Sequence, residues 1–332
     1  MRATQARQIF ALTLVSWGSY WTGIFSQDYV PLTANPPVTA AANISKSDDV
    51  PIDLGVLTGK IDNDLIYRLF LAGGQALTTR TDILDAKQIS AQLKQQRNPA
   101  TIRIPNTPEF GKLDFETIAR SSLLFGTVYD CGRCNQLHAN VAGGVVVSQD
   151  GLAVTNYHVL DRDEKGTMAV FAMTIDGRAH PVAEVLSANK ELDVALVRLG
   201  GEGPFFPAAI ATKIPLPMES ATVLSHPKNQ FFVLTQGAVS RHVTLTTPNG
   251  PEQWTEITAD YAAGSSGSGV FNSRGELIGL VSRNFPILRD PPGTKTAATG
   301  EQDRPRDANL SFVELVLRRC VTLDAIRGCF AQ

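Results

Sequence analysis

The chain has 332 residues, a formal net charge of −2 and 43% hydrophobic residues, with 27 Gly and 19 Pro. That length supports one large or two ordinary domains whose core needs no disulfide staples, and the near balance of charge argues against the basic surface that a nucleic-acid partner requires. The Gly and Pro content points to a turn-rich fold and away from a helical bundle or a disordered chain.

Arg2 and Arg7 precede an uncharged run from Ile9 to Phe25. A basic start before an apolar run is the pattern of a secretory signal or a short membrane anchor, here residues 1–25. Ser16, Gly18 and Ser19 dilute the run, which falls short of the about 20 consecutive apolar residues of a spanning helix and favours a cleaved signal. The nearest small-residue cleavage site, Ala40-Ala41-Ala42, lies well downstream. A buried N-terminal helix is the alternative; either exported reading puts the protein outside the cytoplasm, in the periplasm, in the cell envelope or secreted, with membrane attachment through residues 9–25 if the run is retained.

Residues 26–50 are rich in Pro, Thr, Ala, Asn and Ser and read as a linker. Asp62 to Gln96 is helical in character: Thr81 is a candidate N-cap, Ile83, Ala86, Ile89 or Ser90, and Leu93 fall on one face, and Asn98-Pro99 closes the helix. Residues 26–115 therefore form a linker and helical extension without catalytic residue types, whether pro-segment, packing arm or spacer from a membrane.

After Phe115 the sequence breaks into short β-prone runs: 122–129, 141–148, 152–155, 168–175, 182–186 and 194–199, then 220–224, 231–234, 238–245, 254–259, 270–271 and 277–282. Gln149-Asp150-Gly151 and Asp176-Gly177 are hairpin turn signals. Two sets of about six short strands predict an all-β core of two antiparallel barrels or sandwiches, at about 116–205 and 206–290. In the remaining 291–332, Phe312, Leu315, Val316 and Arg319 recur at helical spacing, so 311–330 reads as a C-terminal helix.

Three residues stand out for chemistry. His158 ends the run Thr155-Asn156-Tyr157-His158, Asp193 opens Asp193-Val194-Ala195-Leu196, and Ser266 sits in Gly264-Ser265-Ser266-Gly267-Ser268. Singly each has an ordinary structural explanation. A serine hydroxyl needs an imidazole to take its proton, the imidazole needs a carboxylate to fix its tautomer, and a turn of small residues lets backbone amides approach a developing oxyanion.

In this order the three words resemble the chymotrypsin-fold serine peptidases, most nearly the bacterial trypsin-like branch with the Do/HtrA-like and glutamyl-endopeptidase-like enzymes, over about residues 116–290. The resemblance implies two six-stranded β-barrels, a Ser266–His158–Asp193 triad, an oxyanion hole from the amides of Gly264 and Ser266, and a serine endopeptidase acting on polypeptides through an acyl-enzyme, without a cofactor. A catalytically inactive relative that binds peptides or proteins in the same cleft is the alternative. Ser268 competes with Ser266, and Gly269 stands where the family usually has Pro, which loosens the expected turn. The spacing of Asp260 before Ser266 implies a pocket floor for Lys or Arg, against the alternative of an exposed turn residue. Ser282 and Asn284 resemble the edge that pairs with substrate backbone. The histidine that glutamyl-specific relatives carry near Ser282 is absent, and His226 and His242 read as structural. The chain beyond Ser266 leaves no room for an appended PDZ domain, and nothing in it sets an oligomeric state.

Four cysteines form two local pairs in sequence, Cys131 with Cys134 and Cys320 with Cys329; an exported chain favours disulfides, and of the three possible pairings the local one is simplest for Cys320 with Cys329. Cys131, Cys134 and His138 could instead serve a zinc site, but the fourth ligand is not evident and no metal is expected. A redox Cys-x-x-Cys motif lacks its βαβ context.

Overall fold

A computed structural model describes residues 53–95, 98–105, 111–162, 166–248, 250–288 and 313–331. The signal or anchor of residues 1–25 and the linker of 26–50 lie outside the described residues. Two closed antiparallel barrels of six strands each form the core, as the alternating runs predict.

The first barrel comprises β1 (Ser122–Asp130), β2 (Leu137–Val146), β3 (Leu152–Thr155), β4 (Thr167–Met173), β5 (Ala179–Asn189) and β6 (Val194–Leu199), in the order β1-β2-β3-β6-β5-β4. Both turn signals are used: the amide of Gly151 donates to Ser148 O at 3.3 Å and that of Gly177 to Thr174 O at 2.9 Å. Both glycines adopt positive φ, +83° and +78°, where an L side chain is strained. β3 and β6 are almost wholly buried, so their side chains fill the barrel and fix the strand ends that carry His158 and Asp193.

The described part of the N-terminal extension packs against the barrels. α1 (Asn63–Leu77) is capped by Asp62, whose side chain accepts from Leu65 N. It stacks Phe70 on Phe171 at 4.4 Å. Gly73 and Gly74 weaken the helix locally, but a Cβ on Gly74 would stand 2.3 Å from Val128 and 2.6 Å from Phe171. Close approach of helix to barrel is what the two glycines supply. α2 (Ala86–Gln95) buries Ile89 and Leu93. Its start differs from the expected Thr81: the Asp85 side chain accepts from Gln88 N at 2.8 Å and the Gln88 side chain accepts from Asp85 N at 2.9 Å. This reciprocal capping box lets the helix begin at Ala86. Further along, Ala100 N donates to Cys329 O and Ala331 N to Ile102 O, both at 2.9 Å, so the arm also ties the C-terminus down. α3 (Phe115–Ser121), capped by Asp114, leads into β1.

The second barrel comprises β7 (Ser220–Ser225), β8 (Val233–Thr247), β9 (Gly250–Ile257), β10 (Gly269–Phe271), β11 (Leu277–Leu288) and β12 (Val313–Thr322), in the order β10-β11-β12-β9-β8-β7. Two expectations change here. Val233 and Leu234 of the run 231–234 join 238–245 in one long strand, β8, and Phe231 and Phe232 lie in the turn before it. The sixth strand comes instead from the tail: residues 313–322 pair with β11 and β9, and the C-terminal helix is only α5 (Leu323–Arg327), capped by the Thr322 side chain. Val, Leu and Cys crowd this segment, and closing the barrel against both neighbours outweighs its local helical spacing. Trp254, Phe271 and Phe330 are among the largest side chains buried in the core.

Among the described residues no helix is long and apolar enough to cross a membrane. The expected disulfides are not formed. All four cysteines are free thiols, with Cys320 and Cys329 separately buried. Cys320 lies under the Tyr261 hydroxyl, 3.8 Å away, whereas the Cys329 thiol donates to Ala325 O in the turn after α5. Burial pushes both thiols up to about 12.

Candidate active site

β3 delivers the chain through Asn156 into α4 (Tyr157–Leu160), which carries His158. Asn156 is wholly buried, and its side-chain amide donates to Asp193 O at 2.9 Å. That bond ties the end of β3 to the start of β6. Asp193 closes the β5–β6 hairpin with φ of +54°, a conformation Asp tolerates better than most side chains. The turn is held by Asn189, whose side chain accepts from Leu192 N at 2.9 Å.

The buried Asp193 carboxylate gathers three donors. His158 Nδ1 lies 2.9 and 3.0 Å from its two oxygens, His158 N donates to Oδ1 at 3.2 Å, and Ser282 Oγ donates to Oδ2 at 2.6 Å. An ionised carboxylate only accepts, so Nδ1 carries the ring proton and Nε2 is left as the base. The His158 side chain is 44% exposed, which leaves Nε2 open to the cleft. Ser282, expected on the edge that pairs with substrate backbone, turns its hydroxyl to Asp193.

The turn bearing Ser266 is fixed from both barrels. Gly143 N on β2 donates to Ser266 O at 2.7 Å, Gly267 N to Val281 O and Val281 N to Ser268 O at 2.8 Å, and Ser268 N to Ser265 O at 3.1 Å. A Cβ on Gly143 would stand 2.2 Å from Ser268 Oγ, and one on Gly267 would stand 2.2 Å from Gly143 O. Ser268 is buried, whereas Ser266 is only partly so and donates from Oγ to Ser282 O at 3.4 Å. No hydrogen bond joins Ser266 to His158 among the described residues. Gly269 opens β10, where a Cβ would lie 2.5 Å from Phe271 and 2.8 Å from Val145, so packing requires glycine at the place where Pro is usual. The loosening expected from that exchange is offset by the four backbone bonds.

The amides of Gly264 and Ser266 donate to no described acceptor, while that of Ser265 between them is bound to Ala262 O at 3.0 Å. Gly264 has φ of +97°, and a Cβ there would stand 2.7 Å from His226 O. Two unpaired donors on one tight turn suit an oxyanion.

His226, read as structural, is buried directly behind this turn. Phe232 N donates to its Nδ1 at 3.2 Å, so Nε2 carries the proton toward Leu123 O at 3.3 Å. Desolvation pushes its pKa down to about 4, which keeps it neutral. His242 lies elsewhere in the second barrel, with Nε2 2.7 Å from Pro215 O.

Asp260 is not gathered into this constellation. Its side chain is 79% exposed and paired with Arg318 at 2.7 Å, in a groove between β9 and β12. Asn284 donates to Tyr261 O at 3.2 Å. The β11–β12 register shifts between Val281 and Arg283, which leaves Ser282 outside that ladder. A cleft of about 440 Å³ beside His158 is lined by Tyr157, Asp161, Lys190, Asp193, Ser282 and Arg283.

Three supporting residues were not read from sequence. Asn156 lies inside a recognised word but has no sequence signal for its bond to Asp193. Asn63, at the start of α1, accepts from Phe231 N at 2.8 Å and donates to Gln230 at 3.0 Å. Ser90 on α2 donates to Asp161, just after α4, at 2.8 Å.

Residues 142–280 match the trypsin-like peptidase domain. The chain is 27% identical over 200 residues to the serine endoprotease DegS of Escherichia coli K12, covering 56% of this chain and 54% of that protein. It is 27% identical over 151 residues to a probable periplasmic serine endoprotease, DegP-like, of Pseudomonas putida, covering 44% and 30%. It is 25% identical over 146 residues to the magnetosome formation protease MamE of Paramagnetospirillum magneticum, covering 42% and 20%. The matched region thus spans about half or less of these curated relatives.

Proposed function

We propose that this chain, which carries a trypsin-like peptidase domain over residues 142–280, is a serine endopeptidase that hydrolyses polypeptides through an acyl-enzyme. The observation that carries the reading is the bonding of His158: both oxygens of a buried Asp193 hold Nδ1, which leaves Nε2 basic on the side open to the cleft. His158 takes the proton of Ser266 as Oγ attacks the scissile carbonyl, and Asp193 stabilises the imidazolium. The tetrahedral oxyanion is met by the amides of Gly264 and Ser266. Collapse breaks the C–N bond as His158 returns the proton to the leaving amine. Water then repeats the sequence on the ester and releases the acid.

Substrate pairs as an added strand along the edge of Ser282 and Asn284, where the main chain of Ser282 is free of the β12 ladder. Asp260 enters pocket specificity only for substrates that displace Arg318. The basic start and the uncharged run 9–25, together with one relative named as periplasmic, support export by a cleaved signal or attachment by that run.

The bond from Ser266 to Ser282 O in place of His158 favours a second reading, an inactive peptide-binding module. Catalytic hydrogen bonds are commonly loose before substrate arrives, so this geometry fits both. Labelling by a fluorophosphonate probe separates them. The peptidase reading expects the folded protein to be labelled and Ser266→Ala not to be; a folded wild type that stays unlabelled overturns it.

A further inference from the structure

The hairpin joining β1 to β2 carries three side chains that peptide hydrolysis leaves unused. Gly132 takes φ of +66° and donates its amide to Asp130 Oδ1 at 2.8 Å, so the chain doubles back on itself. The turn brings Cys131 Sγ and Cys134 Sγ to 3.4 Å. β2 supplies His138, which lies opposite Tyr129 in register with its ring stacked on that tyrosine at 5.5 Å. Its Nε2 is 3.1 Å from Cys134 Sγ, and the three donor atoms all lie within 4.8 Å of one another.

We propose that Cys131, Cys134 and His138 bind a zinc ion at the tip of the first barrel. A tetrahedral zinc with bonds of about 2.3 Å to sulfur and about 2.0 Å to nitrogen separates two sulfurs by about 3.8 Å and sulfur from nitrogen by about 3.5 Å. The Cys131–Cys134 and Cys134–His138 separations are a few tenths of an ångström shorter, and Cys131 Sγ lies within 4.8 Å of His138 Nε2, so side-chain rotation that evens the three distances admits the ion. Two thiolates and an imidazole are a soft set that selects zinc over magnesium or calcium. Cys134 is exposed and the other two are half-buried, so the fourth position opens to water. Both thiols release their protons to solvent on binding, and nothing is oxidised or reduced.

A Cys131–Cys134 disulfide accounts for the thiols but gives no reason for His138 to aim Nε2 at the sulfur. From His138 to Gly143, which holds the Ser266 carbonyl, β2 runs five residues, about 17 Å. The ion therefore clamps the hairpin and takes no part in peptide hydrolysis.

The test uses the full chain, purified with and without reductant, stripped by chelator under reducing conditions and titrated with Co²⁺ and then Zn²⁺. The expected results are one Co²⁺ per chain, near-ultraviolet sulfur-to-cobalt charge transfer of two thiolates, and its bleaching by one equivalent of Zn²⁺. Cys131→Ser and Cys134→Ser remove the band, and His138→Ala weakens binding at least ~10-fold, with near-ultraviolet circular dichroism confirming that each variant folds. Absence of the band, an affinity unchanged in His138→Ala, or a native preparation that holds a Cys131–Cys134 disulfide and no zinc overturns the proposal.

Discussion

Replacing Asn63 by Ala tests whether the N-terminal arm helps to shape the catalytic turn. Asn63 Oδ1 accepts from Phe231 N at 2.8 Å and its amide donates to Gln230 at 3.0 Å. The same loop bonds to the oxyanion turn through Lys228 N and Ala263 O at 2.8 Å. Truncation leaves the partly buried Phe231 amide unpaired, at about 1–3 kcal/mol, while the exposed bond to Gln230 adds a few tenths. Alanine returns up to about 0.6 kcal/mol through its higher helix propensity. The net loss is about 0.6–3.3 kcal/mol, or a fall of about 1–13 °C in Tm at this domain size. Asn63→Asp keeps the acceptor and places a carboxylate in the first turn of α1, where the helix dipole favours it, so it should melt close to wild type. Thermal unfolding followed by near-ultraviolet circular dichroism, with the second-order rate of fluorophosphonate labelling measured well below Tm, reads both effects. Ala should slow labelling and Asp restore it. If Ala equals or exceeds wild type in Tm and labelling while Asp falls below it, the arm plays no such part.

Ser282→Ala removes a short bond to a buried carboxylate, which is worth about 1.5–3 kcal/mol for a charged acceptor; urea unfolding should show a lower midpoint at unchanged slope. His226 has a folded pKa of about 4, below its unfolded value of about 6.5. The unfolded chain therefore binds more protons between these values, and stability should fall by about 3 kcal/mol as pH drops from 6.5 to 4. His226→Gln keeps one donor and one acceptor and should remove that share of the slope, leaving the smaller share of His180, which burial shifts the same way. An unchanged pH profile in the variant would contradict the burial argument. In the chelated, reduced native protein, a chromogenic disulfide reagent should modify Cys131 and Cys134 rapidly and reach Cys320 and Cys329 only after unfolding, because burial excludes the reagent and holds both thiols protonated.

What the sequence made legible was local. The runs 152–155 and 194–199 are the observed β3 and β6 to the residue, because buried apolar stretches between turn signals admit little else. His158, Asp193 and Ser266 stand out in the sequence because each sits in a short word whose chemistry restricts its neighbours. Features set by distant partners were not readable. β12 is a strand because β9 and β11 leave a gap that only it can close, which its helical spacing does not disclose. Asp260 loses its expected place to Arg318, 58 positions away. Ser282 bonds Asp193 across 89 positions, and Asn63 reaches Phe231 across 168. Local spacing likewise paired Cys320 with Cys329, although each thiol is buried in its own packing environment.

The central claim is that Ser266, activated by His158, is the nucleophile. Mapping the fluorophosphonate adduct by mass spectrometry of digested wild type, with labelling rates compared in His158→Ala, tests it most directly. A single adduct on Ser266, formed at least ~100-fold more slowly without the imidazole, is the predicted result. An adduct on Ser268 or outside the turn, or a rate indifferent to His158, would contradict it.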